Sequence, residues 1–209
     1  MGTPAQPSSE AQRTLASSVC GRHILVGITG GIAAYKACTA VSRLVQAGAT
    51  VTVAMTQGAT KFVTPLTFAA LSGRTVYSDP WDHVEAGDPQ HVNLGAMIDL
   101  AVICPCSMDC LARLATGRCD DIVTLILATI DRSKTPVLLV PSMNAAMWGQ
   151  PSTQRNLATL AADGFAFIGP EAGWQACRTL GMGRMSEPEA ILSTIAERLS
   201  TRRGDTPRA

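Results

Sequence analysis

The sequence contains few aromatic residues, almost no net charge and no long apolar run. Phe, Trp and Tyr make up only 4% of the 209 residues, so the core must consist mainly of Ala, Val, Leu and Ile. A formal net charge of +1 offers no electrostatic basis for binding nucleic acid or a membrane surface. No apolar run is long enough to cross a bilayer, and residues 1–20 lack the basic end and apolar centre of a secretion signal. We therefore expect a cytoplasmic protein without nucleic-acid or membrane partners.

Two nucleotide-binding fingerprints and a zinc framework are also missing from the sequence. Neither G-x-G-x-x-G nor a Walker Lys-Ser/Thr pair is present, which argues against the usual NAD and ATP sites. Cys104, Cys106 and Cys110 crowd one segment, but no second cluster with zinc spacing follows. An odd total of seven cysteines, without a secretion signal, argues against a disulfide framework. We expect no metal site and six reduced structural cysteines, with Cys177 considered separately.

Strand-like and helix-like apolar patterns alternate along the chain, which predicts a single α/β domain. The strands are predicted over residues 23–28, 50–55, 99–103, 137–140 and 165–169, with helices between them. Residues 1–20 are rich in Ala, Ser, Pro and Gln without a periodic apolar face, and are predicted to form a disordered leader. Residues 21–201 should form the domain, because this length is enough for one sizeable core. Residues 202–209 are polar and are predicted to be a frayed tail.

The segment Pro-Ser-Met-Asn-Ala-Ala-Met-Trp at residues 141–148 directly follows one of these buried strands. In an open α/β sheet, ligands bind outside the carboxyl ends of the strands, so Asn144 is well placed to contact one. The alternative interpretation is that Asn144 only caps the next helix.

Two turns rich in small residues follow the first two predicted strands. Gly30 and Gly31 after the first strand would let the backbone approach a phosphate closely, with a helix N-terminus behind them. Thr56 after the second strand offers a hydroxyl, although it could equally be an ordinary helix cap. Both turns are candidates for holding an anion.

Residues Pro141, Met143, Asn144, Met147 and Trp148 match Pro-x-Met-Asn-x-x-Met-Trp, so the chain resembles the flavin-dependent cysteine decarboxylases. That family acts on phosphopantothenoylcysteine or on the C-terminal cysteine of precursor peptides. Three further motifs occur in the family's order, and the resemblance covers about residues 22–200. Their matching positions are His91, Leu94 and Asp99; Pro105, Ser107, Gly117, Asp120 and Asp121; and Ala176, Cys177, Gly181, Gly183, Arg184 and Met185.

The sequence departs from the family pattern at two places that concern the predicted site. Asp109 stands where Asn is expected, and would bring negative charge to a flavin-facing loop unless it is protonated or paired with a cation. Arg178 replaces a Gly in a glycine-rich segment, residues 173–185, which we expect to be a mobile lid. If that Gly has positive φ, Arg178 is strained; alternatively its charge lowers the Cys177 pKa or holds an anionic substrate group.

The resemblance implies a fold and a set of site residues. The fold is α/β, a Rossmann-like or flavodoxin-like three-layer sandwich with a parallel sheet of six strands, and the cofactor is FMN. The catalytic residues would be His91, Asn144 and Cys177. The cofactor would be bound by Gly30, Gly31, Ile32, Thr56, Ser107, Met108, Asp109, Cys110 and Ser142. The substrate would contact Asn144, Met147, Ala176 and Arg184.

The resemblance also implies a reaction and an assembly. Cys177 favours decarboxylation of 4′-phosphopantothenoyl-L-cysteine to 4′-phosphopantetheine in coenzyme A biosynthesis, because relatives that act on peptides lack this residue. The assembly would be a homotrimer or a dodecamer. One alternative is a peptidyl-cysteine decarboxylase, which the departures at Asp109 and Arg178 keep open. The other is a non-catalytic flavin-binding regulatory protein. A prenyl-transferring relative is disfavoured, because that branch lacks the Asn-x-x-Met-Trp signature.

Overall fold

The structure is a computed structural model that describes residues 9–82 and 88–201. The predicted frayed tail at 202–209 and the first eight residues of the predicted leader lie outside the described residues.

A parallel sheet of six strands forms the centre of the protein, as the family resemblance implied; the apolar patterns predicted five of these strands and missed Val76–Tyr77. The strands are β1 His23–Ile28, β2 Thr50–Met55, β3 Val76–Tyr77, β4 Leu100–Cys106, β5 Val137–Pro141 and β6 Ala166–Phe167. Their order across the sheet is β3-β2-β1-β4-β5-β6. The order reverses between β1 and β4, which pair in parallel although they are distant in sequence. Such a reversal leaves a crevice at the carboxyl ends of the two strands, where α/β proteins bind their ligands.

Helices cover both faces of this sheet. They are α1 Ser9–Val19, α2 Ala34–Gln46, α3 Pro65–Ser72, α4 Gln90–Met97, α5 Met108–Ala115, α6 Ile122–Ala128, α7 Ala145–Trp148, α8 Pro151–Ala162 and α9 Pro188–Ser200. Alternate residues of β1 enter different cores: Ile24 and Val26 pack with α1, α2, α3 and α9, and Leu25 packs with α4, α5, α6 and α8. Successive side chains of a strand point to opposite faces, so this division confirms the three-layer sandwich. Within the described part of the chain, no helix is long and apolar enough to span a membrane.

The predicted disordered leader is wrong for residues 9–19, which form helix α1. Leu15 and Val19 of α1 are buried in the core beside α9. The hydroxyl oxygens of Ser18 and Ser200 also lie 2.8 Å apart across the two helices. The prediction failed because small and polar residues dominate α1, and two apolar side chains in eleven residues give no recognisable periodicity.

The segment predicted to be a mobile lid forms an antiparallel hairpin, with strands β7 Glu171–Trp174 and β8 Leu180–Arg184. The glycines of this hairpin allow close packing against neighbouring segments as well as backbone flexibility. Gly183 has φ +123°, and a Cβ there would collide with the Met143 carbonyl oxygen. The Met143 N–H donates to the Gly183 carbonyl at 2.9 Å. The hairpin is therefore docked on the segment that leads into α7.

Candidate functional site

A cleft of about 570 Å³ lies at the carboxyl ends of the strands, beside the reversal between β1 and β4. Residues that follow β1, β2, β3 and β4 line it, together with the start of α6 and one residue of α7. The lining residues are Thr29, Gly30, Thr56, Gln57, Gly58, Ser78, Asp79, Pro80, Trp81, Ser107, Met108, Asp109, Cys110, Arg113, Asp120, Asp121 and Met147. Six of the nine predicted cofactor residues are among them.

Thr29 joins the turns after β1 and β4, although the sequence did not identify it as a site residue. It is buried, and its hydroxyl donates to the Pro105 carbonyl at 2.8 Å. The same oxygen accepts the Ser107 N–H at 2.8 Å. The position of the Ser107 turn in the cleft therefore depends on one buried hydroxyl. No local signal marks it, because the bonds depend on β1 and β4 becoming neighbours.

We expect Thr29→Val to lower the free energy of unfolding by about 2 kcal/mol, because it leaves the Ser107 N–H and the Pro105 carbonyl without this partner. For a chain of this size, that corresponds to a fall of roughly 4–8 °C in Tm. Thr29→Ser is the control: it keeps the hydroxyl and loses one methyl group, at a cost of about 1 kcal/mol or less. Thermal unfolding measures both variants. Equal Tm values for the Val and Ser variants would show that the hydroxyl does not hold the turn.

The two small-residue turns predicted separately from the sequence lie against each other at one end of the cleft. A Cβ on Gly30 would come within 3.2 Å of the Gly58 carbonyl carbon, so a side chain there would fill the space between the turns. The Gly30 and Gly58 N–H groups donate to none of the described residues. Thr56 does act as a local cap, since its hydroxyl accepts the Ala59 N–H at 3.3 Å, and it also lines the cleft. Unpaired N–H groups beside glycines form a suitable anion cradle.

The Ser107 turn forms another wall of the cleft. The Ser107 hydroxyl caps α5 by accepting the Cys110 N–H at 3.2 Å. Cys104, Cys106 and Cys110 are buried and free, and burial raises the pKa of Cys104 to about 12. The burial of all three thiols agrees with their predicted structural role.

Asp109 is paired with a cation, which answers the question that the sequence raised. Arg113, one helical turn further along α5, donates from Nε to Asp109 Oδ2 at 2.8 Å. The same guanidinium contacts Asp120 and lies 3.6 Å from Asp121 Oδ2. Asp109 therefore shares its cation with Asp120 and Asp121, and Arg118 also pairs with Asp120, so three carboxylates of the cleft wall pair with two guanidinium groups. Arg113 was not predicted, although its i, i+4 spacing from Asp109 was a usable signal.

Asn144 and Cys177 are in contact, as expected for two residues of one catalytic site. Asn144 Oδ1 caps α7 by accepting the Ala146 N–H at 2.8 Å, so the capping interpretation is correct. The cap directs the amide nitrogen of Asn144 toward Cys177 Sγ, at 2.9 Å. Thr179 lies on the other side of the sulfur, with its hydroxyl oxygen 3.0 Å away. The hydrogen bond with Thr179 is the largest cause of a lowered Cys177 pKa; burial opposes it and the Asn144 amide adds to it.

Gln175 attaches the hairpin loop to α7. Its side-chain amide donates to the Met182 carbonyl at 2.9 Å, while its Oε1 accepts the Ala145 N–H at 3.1 Å. Gln175 is buried, and its Oε1 lies 3.7 Å from Cys177 Sγ. Gln175, which no sequence motif identified, therefore holds the loop against α7.

Several predicted site residues lie apart from the cleft or have other partners. Gly31, Ile32 and Ser142 adjoin the cleft in sequence but do not line it. Ala176 lies in the hairpin loop beside Cys177. Arg184 pairs with Glu171 and Glu187, each at 3.1 Å, which is a scaffold arrangement of the hairpin.

None of the three predicted catalytic residues is among those that line the cleft. Asn144 and Cys177 contact each other at the start of α7, whose Met147 does line it, whereas His91 is not part of that contact. His91 lies on α4, and its carbonyl oxygen accepts the Thr129 hydroxyl at the end of α6. Asp121, at the opposite end of α6, borders the cleft. A helix of this length separates its two ends by about 10 Å.

Arg178 has φ +66°, the one positive value at a non-glycine residue among those described. The predicted strain at this position is therefore present. Its side chain is exposed, and its charge is not a cause of the lowered Cys177 pKa.

We expect Arg178→Gly to stabilise the docked hairpin by up to about 1 kcal/mol, since glycine adopts this conformation without the Cβ penalty. Arg178→Lys, the control, keeps both the charge and the strain. Hydrogen exchange of the hairpin amides reports the change. Faster exchange of the hairpin amides in the Gly variant would show that Arg178 does not strain the hairpin. A higher KM for the Gly variant alone would show that Arg178 holds an anionic substrate group.

The sheet order 3-2-1-4-5-6 is that of the Rossmann fold, and with the cleft at its reversal it defines the chain as a doubly wound α/β protein with a parallel sheet of six strands. A family model described as Flavoprotein matches residues 13–200, so the chain belongs to the Flavoprotein family.

Proteins similar to this chain include a curated relative and two solved structures. The Coenzyme A biosynthesis bifunctional protein CoaBC of Bacillus subtilis (strain 168) is 41% identical over 177 residues, which are 85% of this chain and 43% of that protein. A cysteine-to-serine mutant of PPC decarboxylase, complexed with pantothenoylaminoethenethiol, is 31% identical with a TM-score of 0.77, covering 87% of this chain and 98% of the other. The FMN-dependent cysteine decarboxylase SpaF is 27% identical with a TM-score of 0.73, covering 88% and 99%.

Proposed function

We propose that this chain is an FMN-dependent decarboxylase that converts 4′-phosphopantothenoyl-L-cysteine to 4′-phosphopantetheine and CO2 in coenzyme A biosynthesis. The observation that carries the proposal is the contact between the Asn144 amide and the Cys177 thiol, whose nitrogen and sulfur lie 2.9 Å apart. Asn144 caps α7, and Met147 of the same helix lines the cleft. The similar CoaBC and PPC decarboxylase proteins support this substrate. The chain spans 43% of the CoaBC relative, so only one of the activities of a bifunctional protein is proposed here.

The cleft residues fit FMN. The Gly30 and Gly58 turns present unpaired backbone donors in a space that a Cβ would fill, which suits the phosphate of FMN. Gly31, Ile32 and Thr56 belong to the same two turns. The Ser107 turn would hold the rest of the cofactor, with Met108, Asp109 and Cys110 in the wall and Ser142 next to it. When bound, FMN supplies an acceptor for two electrons from the Cβ–S unit of the substrate, which makes loss of CO2 possible.

Asn144 would bind the substrate carboxylate. A side-chain amide has two N–H donors and one acceptor. Oδ1 is used by the helix cap and one N–H by Cys177, so the second N–H is available to the substrate. A neutral amide can hold the carboxylate without opposing its departure as CO2. Met147 and Ala176 would contact the rest of the substrate.

Cys177 would donate the proton that completes the reaction. Its thiol lies beside the carboxylate-binding amide, where the ene-thiol remains after CO2 is lost. The mutant PPC decarboxylase captured with pantothenoylaminoethenethiol supports this order of steps. A peptidyl-cysteine decarboxylase would not require this residue. The predicted substrate role of Arg184 is replaced in our proposal by support of the hairpin.

A role for His91 at the site would require a second copy of the chain, since α6 separates it from the cleft of its own chain. We therefore propose a homo-oligomer, a trimer or a dodecamer, in which His91 approaches the Cys177 of a neighbouring copy as an acid or base. A cytoplasmic location fits this pathway.

Mixing two inactive variants tests the shared site. We expect His91→Ala and Cys177→Ser to form almost no phosphopantetheine alone, whereas mixed oligomers regain about a third of wild-type activity as trimers, or about a quarter as dodecamers, because random assembly gives those shares of intact sites. Differently tagged copies, purified on both tags, are assayed by mass spectrometry of the product. No recovery in mixed oligomers would place both residues at one chain's site or remove His91 from it.

The proposed function is tested by the absorption spectrum of the purified protein and by its activity on two substrates. We expect purified protein to show flavin absorption and to release CO2 from phosphopantothenoylcysteine, with phosphopantetheine as the product. A peptide ending in cysteine is offered in parallel. Preference for the peptide would favour the alternative substrate class, and a flavin-bound protein inert on both would favour a regulatory role.

A further inference from the structure

Three side chains surround Cys177 Sγ, and their hydrogen-bonding capacities differ. Asn144 Nδ2 at 2.9 Å can only donate, and Gln175 Oε1 at 3.7 Å can only accept. The Thr179 hydroxyl at 3.0 Å can do either. Thr179 is therefore the one of the three that can bond the sulfur as a thiol and as a thiolate.

The arrangement satisfies both protonation states of Cys177. The thiol accepts from Asn144 and donates its S–H to the Thr179 or Gln175 oxygen. The thiolate accepts from Asn144 and also from the Thr179 hydroxyl, which has turned its proton toward sulfur. Thr179 is exposed, so the same hydroxyl is open to water.

We propose that Thr179 is a positioning residue for Cys177, which holds the sulfur in both protonation states and returns a solvent proton to it after each turnover. The inference rests on the proposed function, because it assigns Cys177 the final proton transfer. In that step the Cys177 S–H bond breaks and its proton forms a C–H bond on the ene-thiol. FMN, when bound, would supply the accompanying hydride from the electron pair it took up earlier, so there would be no net oxidation. Thr179 would then give its hydroxyl proton to the thiolate while its oxygen takes a proton from a hydronium ion or buffer acid, which balances the one proton that decarboxylation consumes.

The charged groups near Cys177 do not explain its ionisation. On the hairpin these are Arg178, Glu171 and Arg184, and the last two pair with each other at 3.1 Å. Helix α7, which packs against the hairpin, carries no titratable side chain. The Thr179 hydrogen bond is the largest cause of the lowered Cys177 pKa, burial opposes it, and none of these charges is a cause. Removing the hydroxyl should therefore raise that pKa.

The test measures alkylation of Cys177 by iodoacetamide as a function of pH in the full chain, with the modified peptides resolved by mass spectrometry. We expect Thr179→Val to shift the pH midpoint upward by about one unit, a tenfold slower reaction below the midpoint. Thr179→Ser, which keeps a hydroxyl, should retain the wild-type midpoint. Cys119, an exposed thiol on another part of the chain, is the internal control and should titrate identically in all three proteins.

A second measurement follows the products of turnover. In aerated buffer, where O2 would reoxidise the bound flavin after each ene-thiol is released, Thr179→Val should release CO2 at close to the wild-type rate while the share of ene-thiol product rises severalfold, and Thr179→Ser should restore the product ratio. Superimposable alkylation profiles for wild type and Thr179→Val would overturn the inference, even if the wild type is an active decarboxylase. A shifted profile in a protein that does not decarboxylate would keep the hydrogen-bonding role and remove the proposed function.

Discussion

Asn144→Asp is expected to lower kcat/KM for CO2 release roughly 100- to 1000-fold, the usual cost of losing one essential donor in an active site. Asp caps a helix as well as Asn does, so the cap on Ala146 N–H is retained. The variant lacks both N–H donors of the amide, and its carboxylate repels the substrate carboxylate. The rate of CO2 release and the Tm, measured on the same preparation, separate chemistry from folding.

The control for this prediction is Asn144→Ala, which loses the cap together with the amide. It should be as inactive as the Asp variant and also less stable, by about 1 kcal/mol. The loss of the amide also removes one cause of the lowered Cys177 pKa, so both variants should need a higher pH for alkylation of Cys177. An Asp variant with near wild-type activity would show that the amide does not bind the carboxylate.

In a single turnover, which needs no reoxidation of the flavin, Cys177→Ser is expected to release CO2 within about tenfold of the wild-type rate, but to form phosphopantetheine at least about 100-fold more slowly, because a positioned general acid contributes this much. Serine is a far weaker acid than cysteine, so the ene-thiol accumulates. The product should be lighter than phosphopantetheine by two hydrogens, which mass spectrometry detects directly.

Cys119→Ser provides the matched control, since Cys119 is also exposed and free but lies before α6. It should give phosphopantetheine at the wild-type rate. Normal phosphopantetheine from the Cys177→Ser variant would remove the proton-donor role. It would also reopen the peptide-substrate alternative, because Cys177 is the residue that favours the small-molecule substrate.

Local sequence patterns were enough to predict much of the architecture. β1 and β2 begin and end where the apolar segments do, because a strand buried on both faces needs a continuous apolar run. The Asn144 cap was also available as an interpretation, since a cap depends on residues two positions apart. The helix α1 was missed for the converse reason. Its burial depends on α9, which lies near the other end of the sequence, and its own residues are mostly small or polar.

The motifs named Asn144 and Cys177 as partners, but they did not show what holds them together. Gln175 and Thr179 are polar residues in a glycine-rich segment, and nothing in their spacing distinguishes them from ordinary turn residues. Their importance appears only when the hairpin is folded against α7. The same applies to Arg184, where a motif match suggested a substrate contact and the tertiary structure gives it two carboxylate partners.

By itself, the sequence determined the alternation of strands and helices, the two small-residue turns and the Asn144 cap, because apolar periodicity and caps operate over a few residues. The parallel sheet and the pairing of Asn144 with Cys177 in one site were implied by the family motifs. Only the tertiary structure decided which turns meet. Thr29 reaches Pro105 and Ser107 because β1 pairs with β4, and His91 is left at the far end of α6. Such contacts join residues that are far apart along the chain, and no regular spacing in the sequence marks them. They are set by the order of the strands and by the docking of the hairpin.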